Sequence, residues 1–295
     1  ADVAALGSIL IPAMKKKGYP GAFAAAVTSS SASLAIIIPP SIPMIVYAVM
    51  SQSSVVQLFV AGIIPGVIGG FFLMLAAYVT ARKKNFPVEE TFNIPNVKKT
   101  AKDAALAFLL PVIILGGIFG GVVTATEGAG LAVVASLVIG FIYKEIDFKR
   151  LYESACEGAI QTASVMLLVA ASVLLGEFLT IEQIPQKVAE SIIEFTNNKY
   201  AVLGILNIFL LIIGFFLHSV AAIILTVPIV MPLVNAVGID PVHFGIIVTL
   251  NLAIGQQTPP VASVLVTACS VAKADIWDVT RSNISFICVL LVLLL

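Results

Sequence analysis

Long apolar runs separated by short clusters of charge make up most of the chain. A helix that crosses a bilayer needs about 20 mainly apolar residues, and runs of this kind lie at 55–81, 104–123, 128–143, 155–179, 200–216 and 276–295. Two further apolar regions, 21–50 and 241–272, are each interrupted by adjacent prolines, Pro39-Pro40 and Pro259-Pro260. A third, 205–237, is too long for one crossing. Its middle, FFLHSVAAI, followed by Pro228 and Pro232, predicts a re-entrant hairpin with its tip at 218–221. The stretch IEQIPQKVAESIIEF follows another rule: Ile181, Ile184, Val188, Ile192 and Phe195 recur every three or four residues, with charges opposite them. That spacing predicts an amphipathic helix over 181–196, set against a partner subunit or the scaffold, or else lying on membrane lipid. Together these elements predict an all-α polytopic membrane protein.

Composition agrees. The 295 residues are 60% hydrophobic and 11% charged, with a mean hydropathy of +1.10, far from the usual balance of a water-soluble domain. Sixteen Lys and Arg balance sixteen Asp and Glu, so no basic surplus exists to hold nucleic acid. Cys156, Cys269 and Cys288 form no CxxC pair and read as apolar packing residues. The start has neither an initiator Met nor the charge-then-apolar order of a signal peptide, so the sequence is expected to begin inside a longer protein, and its C-terminus likewise looks cut.

Loop charges then set a topology, because Lys and Arg near membrane segments stay on the cytoplasmic side. With Lys15 to Lys17 inside, alternating crossings bring Arg82 to Lys84, Lys98, Lys99, Lys102, Lys144, Lys149, Arg150, Lys273 and Arg281 to the same side. Only Lys187 and Lys199 fall outside. This places the loop at 82–103 in the cytoplasm.

An offset of 220 residues superposes the two diprolines, and also Ala1 on Ala221, Ile9 on Ile229, Pro12 on Pro232, Gly18 on Gly238 and Ala48 on Ala268. The chain therefore contains a duplicated unit of hairpin followed by broken helix. By the charge topology the first broken helix runs outward and the second inward, so the repeats are inverted. The partner of the first arm of the 200–237 hairpin would precede Ala1, and equal repeat lengths place roughly 116 residues upstream.

Each diproline frees backbone oxygens, since proline cannot donate to the carbonyl four residues earlier. The freed groups are on Ala35 and Ile36 in the first break and on Gly255 and Gln256 in the second. Bare carbonyls in lipid cost several kcal/mol each, so they must meet protein, water or a cation, and sodium is a natural hard partner. Ser29, Ser30, Ser31, Ser33 and Ser41 surround one break, and Asn251, Gln256, Gln257 and Thr258 the other; all are neutral oxygen ligands or donors. The half-helices starting near Ser41 and Val261 point positive dipole ends at the centre, which suits an anion. The alternative is that prolines and serines merely kink packed helices.

Few ionisable groups lie within the apolar runs. His218, beside Ser219 at the hairpin tip, reads either as a donor to an anion or as a histidine satisfied by packing and a carbonyl. Glu127, in TATE, fits a capping box with Thr124 or else an ion site. His243 reads as structural and Asp240 as a helix cap. HExxH, GxSxG, P-loop and dinucleotide patterns are absent, so no catalytic residue is assigned, the chain is read as a non-enzyme, and a membrane-embedded enzyme is the weakest alternative. A channel would need a continuous polar pore, which these helices do not offer.

The segments SSSASLAIIIPPSIPMIVYA, GGVVTATEGAG and FFLHSVAAIILTVPIVMPLVNAVGIDPVHFGIIVTLNLAIGQQTPPVASVLVTA resemble the large membrane (transport) subunit of tripartite ATP-independent periplasmic (TRAP) transporters over nearly the whole chain. The resemblance implies an elevator-type fold like that of the ion transporter superfamily, in which two hairpins and two broken helices move against a scaffold. On that reading 1–54 is the first transport region, 55–199 the scaffold with its loop and amphipathic helix, 200–275 the second transport region and 276–295 a C-terminal helix. It also implies co-transported sodium (Na+), an organic acid of the sialic acid or C4-dicarboxylate type, and a bacterial inner membrane. The implied partners are a periplasmic substrate-binding protein and a small four-helix membrane subunit, separate or fused. The ion ligands implied are Ser31, Ser33, Ala35, Ile36, Gly255, Gln256 and Thr258; the substrate would lie against Ser30, Ser41, Asn251, His218 and Ser219. The family often carries an acidic residue where His218 stands and a proline where Ala125 stands. A stand-alone sodium and divalent-anion symporter, working without a binding protein, is the alternative within the carrier class.

Overall fold

Caps and prolines cut the apolar runs into helices. A computed structural model describes residues 2–87, 94–144, 146–196 and 198–294, and the regular structure among them is entirely α-helical. In chain order the helices are α1 (Asp2–Lys16), α2 (Gly21–Leu34), α3 (Ile42–Ser51), α4 (Val55–Lys83), α5 (Ile94–Asp103), α6 (Ala105–Phe119) and α7 (Ala125–Ile142). They continue with α8 (Phe148–Ile181), α9 (Ile184–Phe195), α10 (Lys199–Phe216), α11 (Ser219–Ala236), α12 (Pro241–Gly255), α13 (Ser263–Ala272) and α14 (Ile276–Leu294). Six of them, α4, α7, α8, α10, α11 and α14, are long and apolar enough to cross a membrane.

Both interrupted regions are broken where the prolines stand. α2 ends at Leu34 and α3 starts at Ile42; α12 ends at Gly255 and α13 starts at Ser263. In each break the bond joining the two prolines is cis. The 205–237 region turns back at Leu217 and His218, with the Ser219–Ala236 helix following, as the pattern predicts. Thr124 caps α7: its hydroxyl accepts from the Glu127 amide at 3.3 Å, while Glu127 Oε2 accepts from the Thr124 amide at 2.8 Å. Asp240 caps α12 by accepting from the His243 amide at 2.9 Å.

Two elements differ from the hydropathy reading. The helix expected over 155–179 begins at Phe148; its first two turns are polar and so lie outside any apolar window, yet Asp147 accepts from the Arg150 amide at 2.7 Å and starts the helix there. The stretch read as a cytoplasmic loop holds the polar helix α5. In the amphipathic element the buried face is Pro185 and Ala189, flanked by half-buried Ile192 and Ile193. It packs against α11, while Val188, Phe195 and Ile181 stay exposed.

The described helices fall into two compact units, one from Ala1–Val88 with Ala171–Leu295 and one from Glu89–Ala170. In the second unit α6 and α7 pair through Ile114, Ile118 and Gly128. In the first, the 220-residue offset carries α1 to α4 onto α11 to α14 with their starts shifted by three residues or fewer. The contacts obey the same relation. α1 packs on α13 and α11 on α3; α2 packs on α14 and α12 on α4. Exchanging the repeats maps each contact onto its counterpart, so the two are related by a pseudo-two-fold axis. The core of this unit joins Tyr47, Leu58, Leu210, Ile223, Phe244 and Leu252, from five helices.

Glycines set the closest approaches. A Cβ on Gly62 of α4 would stand 2.5 Å from the Ile37 carbonyl oxygen, so only glycine lets α4 lie across the first break. Gly214 of α10 meets Gly255, where a Cβ would stand 2.5 Å from the Gly214 carbonyl carbon. α10 is thereby drawn against the start of the second break.

Candidate functional site: two helix breaks on a pseudo-two-fold axis

The two breaks touch at equivalent residues. Ser33, on the last turn of α2, donates to the carbonyl of Ala253, on the last turn of α12, at 3.2 Å, and these residues are 220 apart. That hydrogen bond therefore lies next to the axis relating the repeats. Both partners are buried.

Each break also closes on itself. The carbonyl of Ile36, freed by Pro40, accepts from the Ser41 hydroxyl, and Ser41 in turn caps α3 by accepting from the Met44 amide at 3.4 Å. The carbonyl of Gln256, the repeat equivalent of Ile36, accepts from the Val264 amide at 3.2 Å. One position is thus served by a side chain in the first repeat and by backbone in the second, where Ala262 adopts a left-handed φ of 45° to turn the chain. Gly255 accepts from the Thr258 amide at 2.9 Å, and the Thr258 hydroxyl donates to Ile254 at 3.0 Å. A carbonyl oxygen has two lone pairs, so Ile36, Gly255 and Gln256 each keep one for a further partner.

The other residues singled out from sequence are distributed around this junction. Ser31 is exposed, its hydroxyl turned back on Thr28 at 2.9 Å, and Ala35 is exposed beside it. Ser30 is buried and donates to Asn283 at 2.7 Å. Asn251 is fully buried; its amide donates to Ile247 at 2.9 Å and to Asn207 of α10, and its Oδ1 has no hydrogen-bond partner. A buried acceptor left in that state costs free energy comparable to a lost hydrogen bond. At the hairpin turn His218 is exposed and Ser219 buried. Among the described residues no three of His, Cys, Asp and Glu converge; the donors gathered at the breaks are neutral oxygens and amides.

Asn207 and Asn283 escaped the sequence reading. For Asn207 the signal was present, since a lone amide inside an otherwise apolar helix is costly and seeks a partner; Asn283, set among Arg281, Ser282 and Ser285, gave no such signal. Ser172 is a third case: Pro228 cannot donate to Ile224, and the Ser172 hydroxyl takes that carbonyl at 2.8 Å.

The family described as "Tripartite ATP-independent periplasmic transporter, DctM component" matches residues 1–295. The chain belongs to this family. As a DctM-component chain with six helices of membrane-crossing length among the described residues, it is a multi-pass protein of the inner membrane. It is 40% identical over 297 residues to the isethionate TRAP transporter permease protein DctMQ of Oleidesulfovibrio alaskensis, covering 100% of this chain and 47% of the relative. It is 38% identical over 296 residues to the C4-dicarboxylate TRAP transporter large permease protein DctM of Pseudomonas aeruginosa, covering 100% and 69%. It is 34% identical over 295 residues to the sialic acid TRAP transporter large permease protein SiaM of Vibrio cholerae, covering 100% and 69%. The chain thus spans about half of the first DctM-component relative and about two-thirds of the other two.

Proposed function

We propose that this chain supplies the moving transport regions and scaffold helices of a sodium-coupled TRAP permease that imports an organic acid. The observation that carries the reading is the junction of the two breaks: equivalent residues of two repeats meet at Ser33 and Ala253, and the neutral hydroxyls, amides and carbonyls of the two breaks make such a junction suited to sodium and a carboxylate. The spare lone pairs at Ile36, Gly255 and Gln256, with the Ser31 and Thr258 hydroxyls, are the proposed ion ligands. The unpartnered Oδ1 of Asn251 accepts a substrate hydroxyl, and the α3 N-terminus at Ser41 and the α11 N-terminus at Ser219 favour its carboxylate. Transport follows an elevator path, in which hairpin and broken helices travel together. The relatives named for isethionate, C4-dicarboxylates and sialic acid share an anionic group, and the proposed cargo is a small organic anion delivered by a periplasmic binding protein to a permease that includes a small membrane subunit.

Uptake by the complete permease in proteoliposomes tests this, with and without an inward sodium gradient and the cognate binding protein. Dependence on both is expected. Uptake that ignores sodium removes the ion assignment; uptake that ignores the binding protein favours a stand-alone symporter. Replacing Asn251 by Leu is expected to raise the substrate KM at saturating sodium by about tenfold, the size of one buried polar contact, and an unchanged KM would remove Asn251 from the site.

A further inference from the structure

Four buried side chains join the second break to α2 and α14 through hydrogen bonds that all run in one direction. The Ser30 hydroxyl, which also lies 2.7 Å from the Ala26 carbonyl, donates to Asn283 Oδ1 at 2.7 Å, and Asn283 Nδ2 donates to Gln257 Oε1 at 3.1 Å. Gln257 Nε2 donates to Ser33 Oγ, and Ser33 donates to the Ala253 carbonyl at 3.2 Å. The chain starts on α2, crosses to α14 and to the break, and returns to α2 three residues from its start. Ser30 and Ser33 are about 1% exposed, Asn283 and Gln257 0%, so water does not offer substitutes.

The direction has a cause. As α12 ends, the Gln257 amide turns to Ile254 at 3.1 Å and leaves the Ala253 carbonyl without its helical donor. Ser33 fills that place, so its own oxygen is left to accept, and Gln257 must present its NH2 end to Ser33 and its carbonyl end to Asn283. Reversing the carboxamide would set its NH2 against the Asn283 NH2. The first break has no such chain: at the repeat-equivalent positions of Gln257 and Asn283 stand Ile37 and Ile63, and the first break is held by the local bond from Ser41 to Ile36 and by the close approach at Gly62 instead.

We infer that Asn283 is a positioning residue for the second break, fixing the orientation of the Gln257 carboxamide and through it the seating of Ala253 to Thr258 on α2. The sodium readout rests on the function proposed above; the seating itself does not. Replacing Asn283 by Leu in the complete permease removes both ends of the amide and keeps the same branched outline of heavy atoms in a bulkier side chain. The segment 256–264 is then expected to exchange its backbone hydrogens about tenfold faster. In uptake assays the sodium concentration for half-activation is expected to rise about fivefold, the worth of one hydrogen bond, with the substrate KM at saturating sodium unchanged. Gln257→Leu should reproduce both effects, and the double variant should be no worse than either single one, because all act through one chain. Asn283→Ser, a milder change, serves if the Leu variant does not fold. Unchanged exchange at 256–264 in a folded variant, or additive effects in the double variant, overturns the assignment. If wild-type uptake proves independent of sodium, the sodium coupling falls, and hydrogen exchange alone decides the role of Asn283.

Discussion

At the scale of single residues, the protein repeatedly answers a missing backbone donor with a side chain from elsewhere. Pro228 leaves the Ile224 carbonyl free and Ser172 takes it; Pro40 leaves Ile36 free and Ser41 takes it. Replacing Ser172 by Ala should lower stability by about 0.5–2 kcal/mol, the range of side-chain hydrogen bonds inside membranes. Adding Pro228→Ala restores a helical donor to Ile224 and should recover much of that loss, as read by thermal unfolding of the purified permease; a double variant weaker than Ser172→Ala alone would contradict this. Glycines offer a second contrast. Gly62→Ala places a methyl 2.5 Å from a carbonyl oxygen and should cost about 1–3 kcal/mol. Gly158→Ala, in α8 with nothing within 4 Å of the new atom, should be neutral or stabilise by up to about 1 kcal/mol. Similar melting temperatures for the two variants would refute the packing against the first break.

At the scale of elements, hydropathy marked where apolar windows end, which is not where helices end. α8 runs two turns beyond its window because a polar start can be capped and still be helical, and α5 lies in a stretch with no apolar window at all. The amphipathic helix was legible as a helix, but its buried side was not, because the apolar stripe is wide enough to serve two surfaces: one lies on α11 and the other keeps Val188 and Phe195 outward. Caps at Thr124, Asp240 and Ser41 were visible in sequence or close to it, since capping is decided within four residues. The cap on α13 is not local. Lys15, at the end of α1, donates to the Ala272 carbonyl at 2.8 Å and places a cation at the negative end of that helix. Lys15→Met should cost about 0.5–1 kcal/mol in a thermal melt, and a loss below about 0.2 kcal/mol would mean that water serves that carbonyl equally well.

At the scale of the whole molecule, the interlocked repeats carry a mechanical consequence. Because α1 packs on the second half of the other repeat's broken helix, and α11 does the same in return, each repeat buries part of its apolar face only against the other. The unit of Ala1–Val88 and Ala171–Leu295 should therefore unfold in one cooperative step. Lys15→Met, at the α1–α13 contact, and Tyr47→Phe, which breaks the bond from Tyr47 to the Pro241 carbonyl at 2.7 Å, should lower the same transition; two transitions moving independently would show that the repeats fold apart. The sequence by itself determined the membrane class, the breaks and the 220-residue repeat, because apolar composition, proline chemistry and duplication are properties of the chain read in order. Only the tertiary structure decided that Ser33 meets Ala253, that Asn283 and Gln257 tie α14 to the second break, and that Asn251 pairs with Asn207. These contacts join residues up to 220 positions apart, and which of many buried polar groups become neighbours is set by helix packing around the axis, a three-dimensional arrangement to which periodicity along the chain is blind.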